Sequence, residues 1–105
     1  MNKAIAICAD CVGRLLEYLP RARKMADESS SELLLLLILP PHRPDTESIE
    51  KAMELARRYD AALRVYYAEN AERTVQEYMK DELPLAVIAH REGALATGNA
   101  VLCPV

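Results

Sequence analysis

Residues 33–39 read LLLLLIL, seven consecutive branched aliphatic side chains between Glu32 and Pro40. A strand with one wet face alternates apolar and polar residues, whereas a run that is apolar at every position suits a strand covered on both faces. Seven residues also fall far short of the ~20 that a membrane-crossing helix needs. The run therefore predicts a central strand of a parallel sheet. The segment that follows it, PPHRP (Pro40 to Pro44), is a stiff connection and not a domain boundary.

Four more strand-length apolar runs lie outward from this one. They are AIAIC (Ala4 to Cys8), LRVYYA (Leu63 to Ala68), LAVIA (Leu85 to Ala89) and AVLCPV (Ala100 to Val105). The last carries Pro104 near its end, a residue tolerated only where no ladder donor is needed. Between the runs the apolar period changes to that of a helix. Val12, Leu15, Leu16, Leu19, Ala22, Met25 and Ala26 form one stripe, in which Pro20 is expected to kink or divide the helix. Ile49, Ala52, Met53, Ala56 and Tyr59 form a second, with Asp45 or Thr46 as cap and Glu47–Lys51 and Glu54–Arg58 spaced as helical ion pairs. Ala71, Val75, Tyr78 and Met79 form a third, capped by Asn70. Strand and helix thus alternate through one domain, residues 1–105, without internal repeat or linker. Such alternation defines an α/β fold with an open, doubly wound parallel sheet.

Composition narrows the function classes. The net charge is −3 and basic residues are interleaved with acids, as in EKAMELARR, so no basic stripe for nucleic acid emerges. With no Trp and no Phe, the core must be aliphatic with a few tyrosines. The opening MNKAIAICADC lacks the basic, long-apolar and small-residue order of an export signal. Three cysteines, an odd number, fit a reducing compartment better than a disulfide framework. The expectation is a cytoplasmic protein without membrane insertion.

Doubly wound sheets bind ligands beyond the carboxyl ends of their strands, where strand order reverses. The residues just past each run are Asp10, then His42 and Arg43, then Asn70, then His90 and Arg91, with Gly93 and Gly98 beyond. Arg43 and Arg91 have the forked donors that hold anions, while Asp10 and Asn70 serve equally well as helix caps. CADC (Cys8 to Cys11) has redox spacing, but Cys8 falls inside a strand and should behave as a small hydrophobe. Zinc lacks a second ligand pair at suitable spacing. No Ser-His-Asp set or carboxylate pair stands out, and GALATG is not a Walker loop, so no catalytic residue is assigned.

With these pieces in view, the whole chain resembles the universal stress protein superfamily, including the small domain of that type in bacterial potassium-sensing histidine kinases. KAIAICADC is similar to the family's first strand ending in an Asp. AMELARRYDAALRVYYAENAERTVQEYMKDELPLAVIAH is similar to its helix, strand, helix and fourth strand, and GNAVLCPV to its closing segment. The resemblance implies a five-stranded sheet in order 3-2-1-4-5, of adenine-nucleotide alpha-hydrolase-like, flavodoxin-like layering, with ATP or AMP bound by some members. It assigns Asp10 to the adenosine. Nucleotide-binding members carry Gly-x-x-Gly, nine residues, then Gly-Ser/Thr; here His90 stands at the first Gly, Gly93 matches the second, and Gly98-Asn99 stands at the third motif. Only Ala94 to Thr97 lie between, so the fourth helix is expected to be shortened or absent.

Glycines let backbone N–H groups approach phosphate, and a helix N-terminus adds favourable dipole. Losing one glycine and the helix predicts at most weak ATP or AMP binding, aided by Arg43, Arg91 and Asn99. Two functions follow: a ligand-sensing or nucleotide-binding regulatory module without catalysis, or a scaffold that dimerises or docks on a partner in stress or osmotic signalling. Members of the family often pair through the last strand, so the expected partner is a second copy at the C-terminal edge strand.

Overall fold

The computed structural model describes residues 3–42, 45–89 and 101–102. The elements are β1 (Ala4–Ala9), α1 (Val12–Ser29), β2 (Glu32–Leu39), α2 (Thr46–Arg58), β3 (Ala62–Tyr67), α3 (Ala71–Glu82), β4 (Ala86–Ala89) and a two-residue β5 (Val101–Leu102). The four full strands are parallel and ordered β3-β2-β1-β4, and β5 pairs beside β4. The α/β parallel architecture read from the sequence is the one found. The expected shortening of a fourth helix lies outside the described residues.

The LLLLLIL run occupies β2, and all seven of its side chains are buried. Successive strand residues face opposite ways, so Leu33, Leu35, Leu37 and Leu39 pack with α1 and α2, while Leu34, Leu36 and Ile38 pack with α3. β1 divides likewise into Ile5, Ile7 and Ala9 on one face and Ala6 and Cys8 on the other. Two apolar layers thus sandwich the sheet, and this geometry is why the strand can be apolar at every position.

Pro20 does not divide α1, which runs unbroken for 18 residues. Proline withdraws the N–H that would reach the carbonyl four residues earlier, here that of Leu16. Both residues are on the exposed face, Leu16 half-exposed, so water can serve the freed carbonyl. Asp45, one of the two expected caps, fills the N-cap of α2: its carboxylate accepts from Ser48 N at 3.0 Å and Ser48 Oγ at 2.6 Å. The Ser48 hydroxyl, then its backbone N–H, hold the Asp45 carboxyl below the usual carboxylate range. The ion pairs Glu47–Lys51 at 3.0 Å and Glu54–Arg58 at 3.1 Å form as their spacing predicts, both well exposed. Among the described residues, no helix is long and apolar enough to cross a membrane.

Candidate functional site at the carboxyl edge of the sheet

Strand order reverses between β1 and β4: β2 and β3 lie to one side of β1, and β4 to the other. The end of β1 is therefore the place where a ligand is expected. Asp10 follows β1 directly, is exposed, and pairs with Arg14 of the first turn of α1 at 3.5 Å. Both side chains are open enough for the pair to contribute little stability, so either partner is available to a ligand at small cost. Arg14 was legible in principle, because it stands four residues after Asp10.

Cys11 is the N-cap of α1, yet no side-chain cap hydrogen bond forms and no acid lies in the first turn. Cys11 is exposed, whereas Cys8 is buried in β1, and burial pushes the Cys8 thiol up to about 12. The two members of CADC thus differ in access, as strand and cap positions dictate. Among the described residues, no group of three or more His, Cys, Asp or Glu is placed to hold a metal ion.

Beyond β2, His42 Nε2 lies 3.0 Å from Glu69 Oε1, joining the loop after β2 to the loop after β3. Both are three-quarters exposed. Glu69 carried no signal in the sequence, since its partner is 27 residues away. Asn70 is the N-cap of α3, its Oδ1 accepting from Arg73 N at 3.0 Å, while its carbonyl receives Thr74 Oγ1 at 3.2 Å. The capping function of Asn70 therefore occupies its side-chain oxygen. The structure brings Asp10, His42 and Asn70 to the same edge of the sheet, each just beyond a strand. Arg43, His90, Arg91, Gly93, Gly98 and Asn99 lie outside the described residues.

A cavity of about 680 Å³ opens at the opposite, amino-terminal edge, lined among others by Arg23, Glu32, Asp60, Arg64 and Glu82. Its basic groups are already committed. Arg23 donates to the Tyr59 carbonyl at 2.7 Å and to Asp27 at 2.7 Å, and Arg64 pairs with Glu82 at 2.8 Å. That edge is also the wrong one for ligands of doubly wound sheets. Its polar groups tie α1 to the end of α2 and β3 to the end of α3.

Against known proteins, this architecture has a clear counterpart. The universal stress protein from Archaeoglobus fulgidus, solved in complex with dAMP, superposes with a TM-score of 0.65, covering 97% of each chain at 13% identity. The chain therefore has the universal stress protein fold. A 5-methylthioadenosine/S-adenosylhomocysteine deaminase of Aquifex aeolicus (strain VF5) is 32% identical over 90 residues, 83% of this chain. The chain spans about a fifth of the length of that curated relative, 20%. No family model matches the sequence.

Proposed function

We propose that the chain is a regulatory module that binds an adenine nucleotide or nucleoside at the carboxyl edge of its sheet and performs no catalysis of its own. One observation carries the reading: Asp10 stands exposed where strand order reverses, in the fold of a protein solved with dAMP. The deaminase that resembles most of this chain is also named for adenosine derivatives, which favours the same ligand class. In this reading Asp10 accepts hydrogen bonds from adenosine, as a carboxylate does from paired hydroxyls. The phosphates have a poorer seat. His90 replaces a glycine of the binding loop, and only Ala94 to Thr97 separate Gly93 from Gly98. Arg43, Arg91 and Asn99 are left to meet the anion. The affinity for ATP is accordingly weak.

Titration calorimetry with ATP, AMP and adenosine tests this. Micromolar or weaker binding is expected, with Asp10→Ala weakening all three ligands and Arg91→Ala weakening ATP more than adenosine. Sub-micromolar ATP binding contradicts the degenerate loop, and equal effects of Arg91→Ala on ATP and adenosine remove its phosphate role.

The same reading includes a two-fold dimer through the last strand. AVLCPV is apolar at every position, and an edge strand offers unpaired backbone groups to a second chain. Sedimentation of the wild type at micromolar concentration is expected to show a dimer that Val101→Lys dissociates. A monomer, or a dimer indifferent to the lysine, removes this interface.

A further inference from the structure

The edge of the sheet formed by β3 is built differently from the rest of the molecule. Among the described residues, β3 hydrogen-bonds only to β2, which leaves one side of its six residues without a ladder partner. Beside it runs a trough of about 470 Å³ between the strand and α3. Thr74, Glu77, Tyr78, Asp81 and Glu82 line it, spaced as one stripe of the helix. The strand supplies Arg64, Tyr66 and Tyr67. Tyr66 and Tyr67, two of the five tyrosines in a chain with no Trp or Phe, thus stand at one open edge beside the buried ring of Tyr78. Tyrosine at such density, with an apolar ring and a polar tip, is characteristic of binding surfaces.

The two faces of β3 differ in chemistry. Tyr66 and Ala68 lie on the α3 face, where the Arg64 guanidinium sits 6.0 Å from the centre of the Tyr78 ring. Leu63 and Val65 lie half-buried on the α2 face. The trough on the α3 side carries three carboxylates against one guanidinium. Arg64 pairs with Glu82 at 2.8 Å, and Arg73, from outside the trough, with Glu77 at 3.3 Å. The Arg73–Glu77 pair is largely exposed and hence easily exchanged for a partner's cation, the Arg64–Glu82 pair is about half-buried, and Asp81 has no ion pair among the described residues.

We infer that β3 is a docking edge for an extended peptide segment of another protein, one that alternates basic and apolar residues and adds as a further strand. Its backbone completes the open ladder, its basic side chains meet Glu77 and Asp81 over Tyr66, and its apolar side chains extend the face of Leu63 and Val65. Period-two alternation delivers these two chemistries to opposite faces of one strand. A second copy of the chain is disfavoured, because two-fold pairing of β3 with itself would bring the two acidic troughs together. This edge lies on the far side of the sheet from β4 and β5, so the inference does not depend on nucleotide binding.

The test uses two labelled heptapeptides with capped ends, one alternating lysine and valine, the other glutamate and valine. Fluorescence anisotropy gives affinity, and amide shifts of the ¹⁵N-labelled full chain give location. The basic peptide is expected to bind saturably, to weaken with added salt, and to shift amides of residues 62–68. The exposed double variant Glu77→Lys/Asp81→Lys is expected to weaken it about tenfold while leaving the circular dichroism spectrum unchanged. Equal binding of the acidic peptide, shifts that avoid β3, or an affinity unchanged in the double variant overturns the proposal. So does a β3-mediated homodimer, recognised by its loss in Val65→Pro.

Discussion

Leu35→Ala is expected to lower the unfolding free energy by about 3 to 5 kcal/mol, the upper part of the range for a leucine truncated in a rigid core. Leu35 is fully buried at the centre of β2, registered against Ile7 of β1 on one side and Leu63 of β3 on the other. Both neighbouring strands are held by main-chain ladders, so the layer cannot collapse cheaply into the gap. A loss of that size removes much of the ~5–15 kcal/mol by which domains of this kind are stable. Denaturant titration reads it as a lower midpoint with an unchanged slope. Leu16→Ala is the control: Leu16 is half-exposed on α1, and its loss is expected to stay within about 0.5 kcal/mol. Equal effects at the two positions would mean that β2 is not the packed centre of the domain.

The second large effect concerns Cys8. Burial raises its thiol from the ordinary 9.0 to about 12, so below pH 9 the native thiolate fraction is on the order of a thousandfold below that of the unfolded chain. Alkylation of Cys8 in the native protein is therefore expected to be slower than in urea by at least that factor, leaving only transient opening as a route. The same shift makes stability depend on pH. Between pH 9 and 12 the unfolded chain releases the proton that the native state keeps, so stability falls as pH rises through that window. The decline from Cys8 amounts to about 4 kcal/mol across the full interval, as an upper bound. Tyr78, pushed up to about 12 chiefly by burial, adds in the same direction above pH 10. Cys8→Ala is expected to flatten the alkaline decline. Rapid native labelling of Cys8, or a Cys8–Cys11 disulfide that persists under cytosolic reducing conditions, would restore the redox reading of CADC.

How far the fold was legible depended on whether one residue type could decide each element. LLLLLIL could be read directly, because an apolar run of strand length between Glu32 and Pro40 suits a strand covered on both faces. Asn70 and Asp45 were legible as caps because capping is local: the side chain bonds backbone three residues on. Division of α1 at Pro20 did not follow, because its cost depends on whether the orphaned carbonyl meets water, and that depends on which way α1 faces. The carboxyl edge was legible only in part. Asp10 follows from its place after β1, but the His42–Glu69 link joins loops that come together only through the strand order. The trough at β3 was invisible for the same reason. Its stripe from α3 and its tyrosines from β3 read separately as an ordinary helix and an ordinary strand.

The central claim is that ligand binding belongs to the carboxyl edge, at the end of β1. It is tested most directly by titrating the ¹⁵N-labelled protein with AMP and following the backbone amides. Saturable shifts of Asp10, Cys11 and Gly13 at the junction of β1 and α1, saturating only at higher AMP concentration in Asp10→Ala, are the predicted result. Shifts confined to Glu32, Ala62 and their neighbours at the amino edge, or no shifts at millimolar AMP, would contradict it.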